Sequence, residues 1–247
     1  MKITKAITIL TAALMGLSAV SCKKDDTLMY NNVTLGNYVE GSYVSDQGNI
    51  FNIVEQECAG KIDTMYRALT VCDVLNKTEG GRENEYDVRM TFMMKVLVKD
   101  IVPLGNEVED GVLVEHPINI ERLWTSGGYL NMAISFAFKD VNVKHTINLV
   151  QQRTEEAGTY SFRLTHNAFE DAVQENSTGI YEIGSAYVSF PINSFMKEDE
   201  AKLDISWKGF NVNNLTQAID NKLEGTYKKD GFEHATLTAP TSKAAIR

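Results

Sequence analysis

From about residue 40 onward, apolar and polar positions alternate with a period of two, the pattern of half-buried β-strands. In the longest run Tyr86, Val88, Met90, Phe92, Met94, Val96 and Val98 fall on one face. Asp87, Arg89, Thr91, Lys95 and Lys99 mark the other. A helix would instead place apolar residues three and four apart, so this run predicts one long strand over 86–98. Leu130, Met132, Ile134, Phe136 and Phe138 repeat the alternation, and the polar stretch 139–142 leads to His145, Ile147 and Leu149. Two alternating runs joined by a short polar loop predict a hairpin. Further strands are predicted around 43–54, 65–75, 160–164, 186–190 and 203–207. Leu215, Ile219 and Leu223 stand four apart and predict a helix over 215–223.

The apolar pattern breaks near residue 110, where Pro103, Gly105 and the acidic stretch 107–110 interrupt it. Many short strands with turn signals between them point to an all-β chain. The preferred partition is a small barrel before the break and an antiparallel sandwich after it. The last residues, 236–247, are small and polar without periodicity, and are expected to form a flexible tail.

The first residues read differently. Lys2 and Lys5 precede an apolar run over 6–20, and Ala19, Val20 and Ser21 then lead to Cys22. A charged start, a short apolar middle and small residues at the end describe a secretory signal over 1–21. Ala-Val-Ser-Cys resembles a lipobox, which makes Cys22 the expected site of lipidation, with 22–35 as a tether. Several acyl chains on one residue anchor stably, at about 0.8 kcal/mol per buried CH₂. The charged patch Lys23, Lys24, Asp25 and Asp26 resembles both a solvated spacer and a surface-export signal of some Gram-negative anaerobes. The expected location is the cell envelope, at the outer membrane, with that membrane as a partner through the lipid.

Charge removes one class of partner. The chain of 247 residues carries a formal charge of −9. Losing 1–21 takes Lys2 and Lys5 away and leaves −11. Such a chain repels nucleic acid. Beyond Cys22 the remaining thiols are Cys58 and Cys72, which in an oxidising compartment could form a disulfide. Cys72 also sits in an apolar strand-like run, so a buried free thiol is the competing reading.

Leu123-Trp124-Thr125-Ser126-Gly127-Gly128-Tyr129-Leu130-Asn131, with Lys144-His145-Thr146-Ile147-Asn148-Leu149-Val150, resembles the signature region of the NigD-like lipoproteins. Arg67-Ala68-Leu69-Thr70-Val71 resembles that family's first-domain strand with its leading arginine. The resemblance implies an OB-type β-barrel over 36–108 and a β-sandwich over 109–235. It also implies bacteriocin immunity, a role proposed for the family from gene context.

Candidate chemistry is sparse. His145 and His166 lie in register with apolar strand faces and lack the short-range partners of a zinc site, so core histidines are expected and no metal or other cofactor. The acidic loops 107–110 and 198–200 lack a calcium-loop pattern. Trp124, Tyr129, Tyr187 and Trp207 could face a glycan, or could pack the sandwich. Asp26-Thr27-Leu28 and Asp63-Thr64-Met65 resemble O-glycosylation acceptors. No hydrolase elbow, phosphate loop or dinucleotide fingerprint occurs. The expected function is a non-enzymatic binding module whose partner is a secreted peptide or protein toxin; the alternative is glycan or nutrient capture.

Overall fold

The computed structural model describes residues 28–229 except 61–65, 104, 106–109 and 175–179. The signal segment, Cys22, both acceptor triplets (Leu28 apart) and the tail over 236–247 lie outside the described residues.

Strands β1 (Leu28–Val39), β2 (Ser42–Ser45), β3 (Ile50–Gln56), β4 (Arg67–Lys77) and β5 (Glu85–Lys95) close a barrel in the order β1-β2-β3-β5-β4. β3 and β5 run parallel and every other barrel pairing is antiparallel, which is the OB-type arrangement. Glu40 and Gly41, both at positive φ, make the two-residue turn from β1 to β2. Tyr43, Phe51, Cys72, Val74, Val88 and Met90 fill the barrel. The Tyr43 hydroxyl donates to the carbonyls of Thr34 and Ala68 at 2.9 and 3.0 Å, so its buried polar end has partners.

Two expectations about this half are corrected. β1 begins at Leu28 and therefore occupies residues expected to form the tether. The run over 86–98 is not one strand with one inward face. Opposite β4 the register shifts between Val71 and Cys72, which face Phe92 and Met90, so Thr91 is an extra residue. A bulge of one residue reverses the alternation beyond it. Hence Val88 and Met90 are buried, Phe92 is exposed and Met93 is buried instead. After Val96 the chain leaves the barrel as β6 (Leu97–Val98), which pairs with a strand of the other domain.

The sandwich contains β6, β7 (Asn119–Ser126), β8 (Tyr129–Phe138), β9 (Thr146–Gln152), β10 (Thr159–Asn167), β11 (Glu182–Pro191), β12 (Glu200–Asn211) and β13 (Asn214–Lys228). Its two sheets have the orders β6-β11-β8-β7 and β13-β12-β10-β9. Each holds one parallel pairing, β6 with β11 and β10 with β12, so the sheets are mixed and not wholly antiparallel. Leu130, Met132, Ile134, Leu149, Phe162, Leu164, Phe190, Ile205 and Trp207 pack between them.

The predicted hairpin over 130–151 is absent, because β8 and β9 belong to different sheets. Both runs carry a face that needs the core, and the polar loop arches across the gap of about 10 Å between packed sheets. The predicted helix is also absent: 215–223 lies within β13. A spacing of four fits a strand face as well as a helix face, and pairing with β12 decides between them, Ile205 opposite Leu223 and Leu203 opposite Gly225.

Candidate functional site

Two networks of buried polar side chains stand out, one at each end of the sandwich. The first joins it to the barrel. Arg67 opens β4, and its guanidinium is wholly buried. Its Nη1 and Nη2 donate to the two Asp46 carboxylate oxygens at 2.9 and 2.7 Å. Nη1 also reaches Asn37 Oδ1 at 3.1 Å, Nη2 reaches Asn131 Oδ1 at 2.9 Å, and Nε donates to Ser189 Oγ at 2.9 Å. The five guanidinium N–H donors therefore all have acceptors. The cation also lies 4.1 Å from the centre of the Tyr129 ring, within cation–π range.

The partners come from both domains: Asn37 and Asp46 from the barrel, Tyr129, Asn131 and Ser189 from β8 and β11. Gly127 in the β7–β8 turn is part of the fit. Its φ is +57°, and a Cβ there would lie 2.3 Å from Asp46 Oδ1. An apolar seam runs beside the network, where Met94, Trp124 and Tyr187 pack against Leu35, Leu69 and Val96.

The second network lies at the other end of β8 and β11, the pole far from the barrel. The β8–β9 arch and the 3-10 turn Phe169–Asp171 after β10 meet there. Asp171 is buried and accepts the backbone N–H groups of Lys139 and Asp140 at 2.9 and 3.1 Å. His145 Nε2 is 3.2 Å from the same carboxylate, and its Nδ1 is 3.0 Å from His166 Nε2. His166 Nδ1 faces the carbonyls of His116 and Pro117 at 3.3 and 3.2 Å. Carbonyls only accept, so these contacts are all hydrogen bonds when both nitrogens of His145 carry protons and Asp171 is a carboxylate. His116 Nδ1 accepts the Ala168 amide at 2.9 Å, which places that ring beside the same cluster.

Burial, with His145 as neighbour, pushes His166 down to about 4. His116 is lowered for the same first reason. Burial alone would raise Asp171, but the Lys139 amide, the His145 ring and the Asp140 amide together hold it below the ordinary carboxylate range. A narrow crevice with room for roughly one water opens beside His116 and His166, between Ala137 and Phe210 of the two sheets. Above the network sit exposed apolar side chains. Val141 in the arch is 82% exposed, Ile180 is 88% exposed, and Phe169 and Ile183 are about half exposed. Phe169 holds φ +50°, a conformation costly to an L side chain.

Chemically the far network can hold and pass a proton. No serine, threonine or cysteine side chain is bonded to it among the described residues. His145 and His166 use their ring nitrogens on one another, on Asp171 and on backbone, and no group of three or more metal-ligating side chains is placed to hold an ion among the described residues. His145 and His166 were readable in the sequence as core histidines. His116 and Asp171 were not, since segment 114–118 and the 3-10 turn reach the cluster only through the tertiary fold.

The aromatic quartet does not form a platform. Trp207 is buried in the core and Tyr129 is buried beneath Arg67. Trp124 and Tyr187 meet edge to face, 6.4 Å between centres, in the seam between domains. Cys58 and Cys72 are free thiols, which corrects the disulfide reading. Cys72 points into the barrel core, where burial raises its thiol to about 11 and leaves it a weak nucleophile.

A closed OB-type barrel locked by a buried arginine onto a mixed β-sandwich defines a two-domain all-β class. Within it, residues 100–220 of the chain match the NigD-like C-terminal beta sandwich domain. Among solved structures, a NigD-like immunity protein from Bacteroides caccae is 16% identical with a TM-score of 0.55, over 76% of this chain and 89% of that one. A candidate toxin-related protein from Parabacteroides distasonis is 19% identical with a TM-score of 0.53, over 80% and 92%. A candidate lipoprotein from Bacteroides fragilis is 13% identical with a TM-score of 0.56, over 81% and 97%. At these identities the likeness is one of fold. No curated protein sequence matches the chain.

Proposed function

We propose that the protein is a non-enzymatic binding module of the cell envelope, anchored by lipid on Cys22, whose far pole captures a secreted protein toxin. The observation that carries this reading is the set of exposed apolar side chains: Val141 and Phe169 on loops tied down by a buried polar network, with Ile180 just before β11 and Ile183 at its start. Apolar groups held in water on rigid loops are the usual makings of a protein interface. The immunity name of one fold relative and the toxin-related name of another agree with that partner class. Glycan capture is less well supported, because the four candidate aromatics serve the core and the domain seam.

The test uses full-length protein in detergent as bait for envelope extract and culture medium, read by mass spectrometry. A small secreted protein should be enriched by the native chain and lost with Val141→Asp/Ile180→Asp. Recovery of polysaccharide alone, or equal recovery by both baits, would overturn the reading. Loss of the gene should also raise sensitivity to toxin-producing neighbours.

A further inference from the structure

β13 is the outermost strand of its sheet among the described residues. It runs for 15 residues, Asn214–Lys228. At about 3.4 Å per residue its edge is on the order of 50 Å long. It contains no proline, and an open edge of this kind is a template for pairing with another strand. Along it the inward positions Leu223 and Tyr227 belong to the sandwich core, while Asp220, Lys222 and Glu224 share the outer face.

Asn221 is the midpoint of the strand. A two-fold axis normal to the sheet at that residue lays β13 antiparallel on a second copy of itself, with 218–224 in regular ladder geometry and 215–217, which bulge out of the ladder with β12, reaching the partner's end of the strand. The sequence is complementary to itself in this register. Asp220, 80% exposed at its side chain, falls opposite Lys222 of the partner subunit, and Lys222 falls opposite Asp220 of the partner subunit. Ile219, an exposed apolar residue, falls opposite Leu223 of the partner subunit on the inward face. Thr216 meets Thr226 of the partner subunit, and Leu215 meets Tyr227 of the partner subunit. Opposite charges and apolar pairs directly across a ladder stabilise it, while like charges oppose it.

Neighbouring registers lose the match. An axis on Asp220 sets that carboxylate against itself. One on Lys222 sets lysine against lysine and Asp220 against Glu224. An axis on Leu223 pairs Lys222 with Glu224 but leaves residues 214–217 unpaired. Full length and charge complementarity therefore coincide only at Asn221.

We propose that β13 is a homodimerisation edge: two copies pair antiparallel about Asn221 and join their four-stranded sheets into one of eight strands. Such an interface is isologous and closes at two copies. Because the copies are inverted, the far pole of each lies toward the barrel end of the other. Two lipid tethers can then reach one membrane only if the joined sheet lies roughly parallel to its surface.

Asn221→Cys in the full-length chain places a thiol opposite its own counterpart, at about 4.5–5.5 Å between Cα atoms, within disulfide reach. Mild oxidation should convert this variant to a covalent dimer. Thr216→Cys should stay monomeric alone and cross-link when Thr226→Cys is added. Independently, Asp220→Lys should weaken association about tenfold in sedimentation, and adding Lys222→Asp should restore it. Circular dichroism of each variant verifies that the fold is kept. A monomeric Asn221→Cys chain after oxidation, or Thr216→Cys cross-linking as readily, would overturn the proposal, as would a native chain that sediments as a monomer at tens of micromolar.

Discussion

The Arg67 joint and the His145 network are both buried and both built on one acid, yet they depend on different things. At the joint the cation is a guanidinium, charged at every accessible pH, and each of its donors is fixed on a side chain. At the far pole the donors are imidazoles, whose protons come and go, and the acid also holds two backbone amides. The first arrangement makes a permanent weld between domains. The second makes a clasp whose grip on the loops follows pH. The protein thus puts its invariant charge where two domains must stay together, and its titrating groups under the surface proposed to bind.

Breaking the weld should have the largest effect. Arg67→Met leaves Asp46 buried without its cation and should cost about 3–5 kcal/mol. In calorimetry a single unfolding transition should split as barrel and sandwich uncouple. Arg67→Met with Asp46→Leu should recover much of the loss; equal instability of the single and double variants would count against the weld.

Acid should loosen the clasp. His166 titrates near 4 in the fold against 6.5 when free, so the unfolded chain takes up its proton first. The contribution of His166 is therefore complete above about pH 6.5 and is lost toward pH 4, by up to about 3 kcal/mol. His116 acts with the same sign. Asp171, held low in the fold, adds a further loss as pH falls below the ordinary carboxylate range. Denaturant midpoints between pH 7 and 4.5 should slope in the native chain and in Arg67→Met, and flatten in His166→Gln. An unchanged slope in His166→Gln would assign the titration elsewhere.

Smaller changes sharpen the contrast. Gly127→Ala forces a Cβ onto Asp46 at positive φ and should cost about 2 kcal/mol, seen as a lower Tm with no change in pH slope. Phe169→Gly should move stability by less than about 1 kcal/mol, since relief of backbone strain offsets the freedom of glycine. It should nonetheless weaken capture of the partner, separating binding from folding.

Much of this fold could be read from alternation alone. β8, β10, β11 and β12 lie where the pattern puts them, and Leu130, Met132 and Ile134 face the core as expected. What the pattern could not show was non-local. The extra residue at Thr91 is visible only against β4, and the separation of β8 from β9 only once both sheets exist. β13 was misread because four residues is a whole number of strand repeats as well as about one helical turn. At the site, Arg67 was legible as a leading arginine, but its acid partner stands 21 positions away in a turn. His116 and Asp171 carry no local pattern that would mark them.

The direction of β1 has a mechanical consequence. Its Leu28 end, where the chain enters the barrel, lies opposite Val74, and its Asn37 end lies opposite Arg67 at the weld. A pull on the chain's beginning, with the far pole held by a partner, loads β1 along its own axis. Strands loaded lengthwise must slide past their neighbours with every rung resisting together, whereas strands pulled sideways peel open one rung at a time. The first strand is therefore oriented as a shear clamp, and a tether attached before it would strain the whole β1–β4 ladder at once.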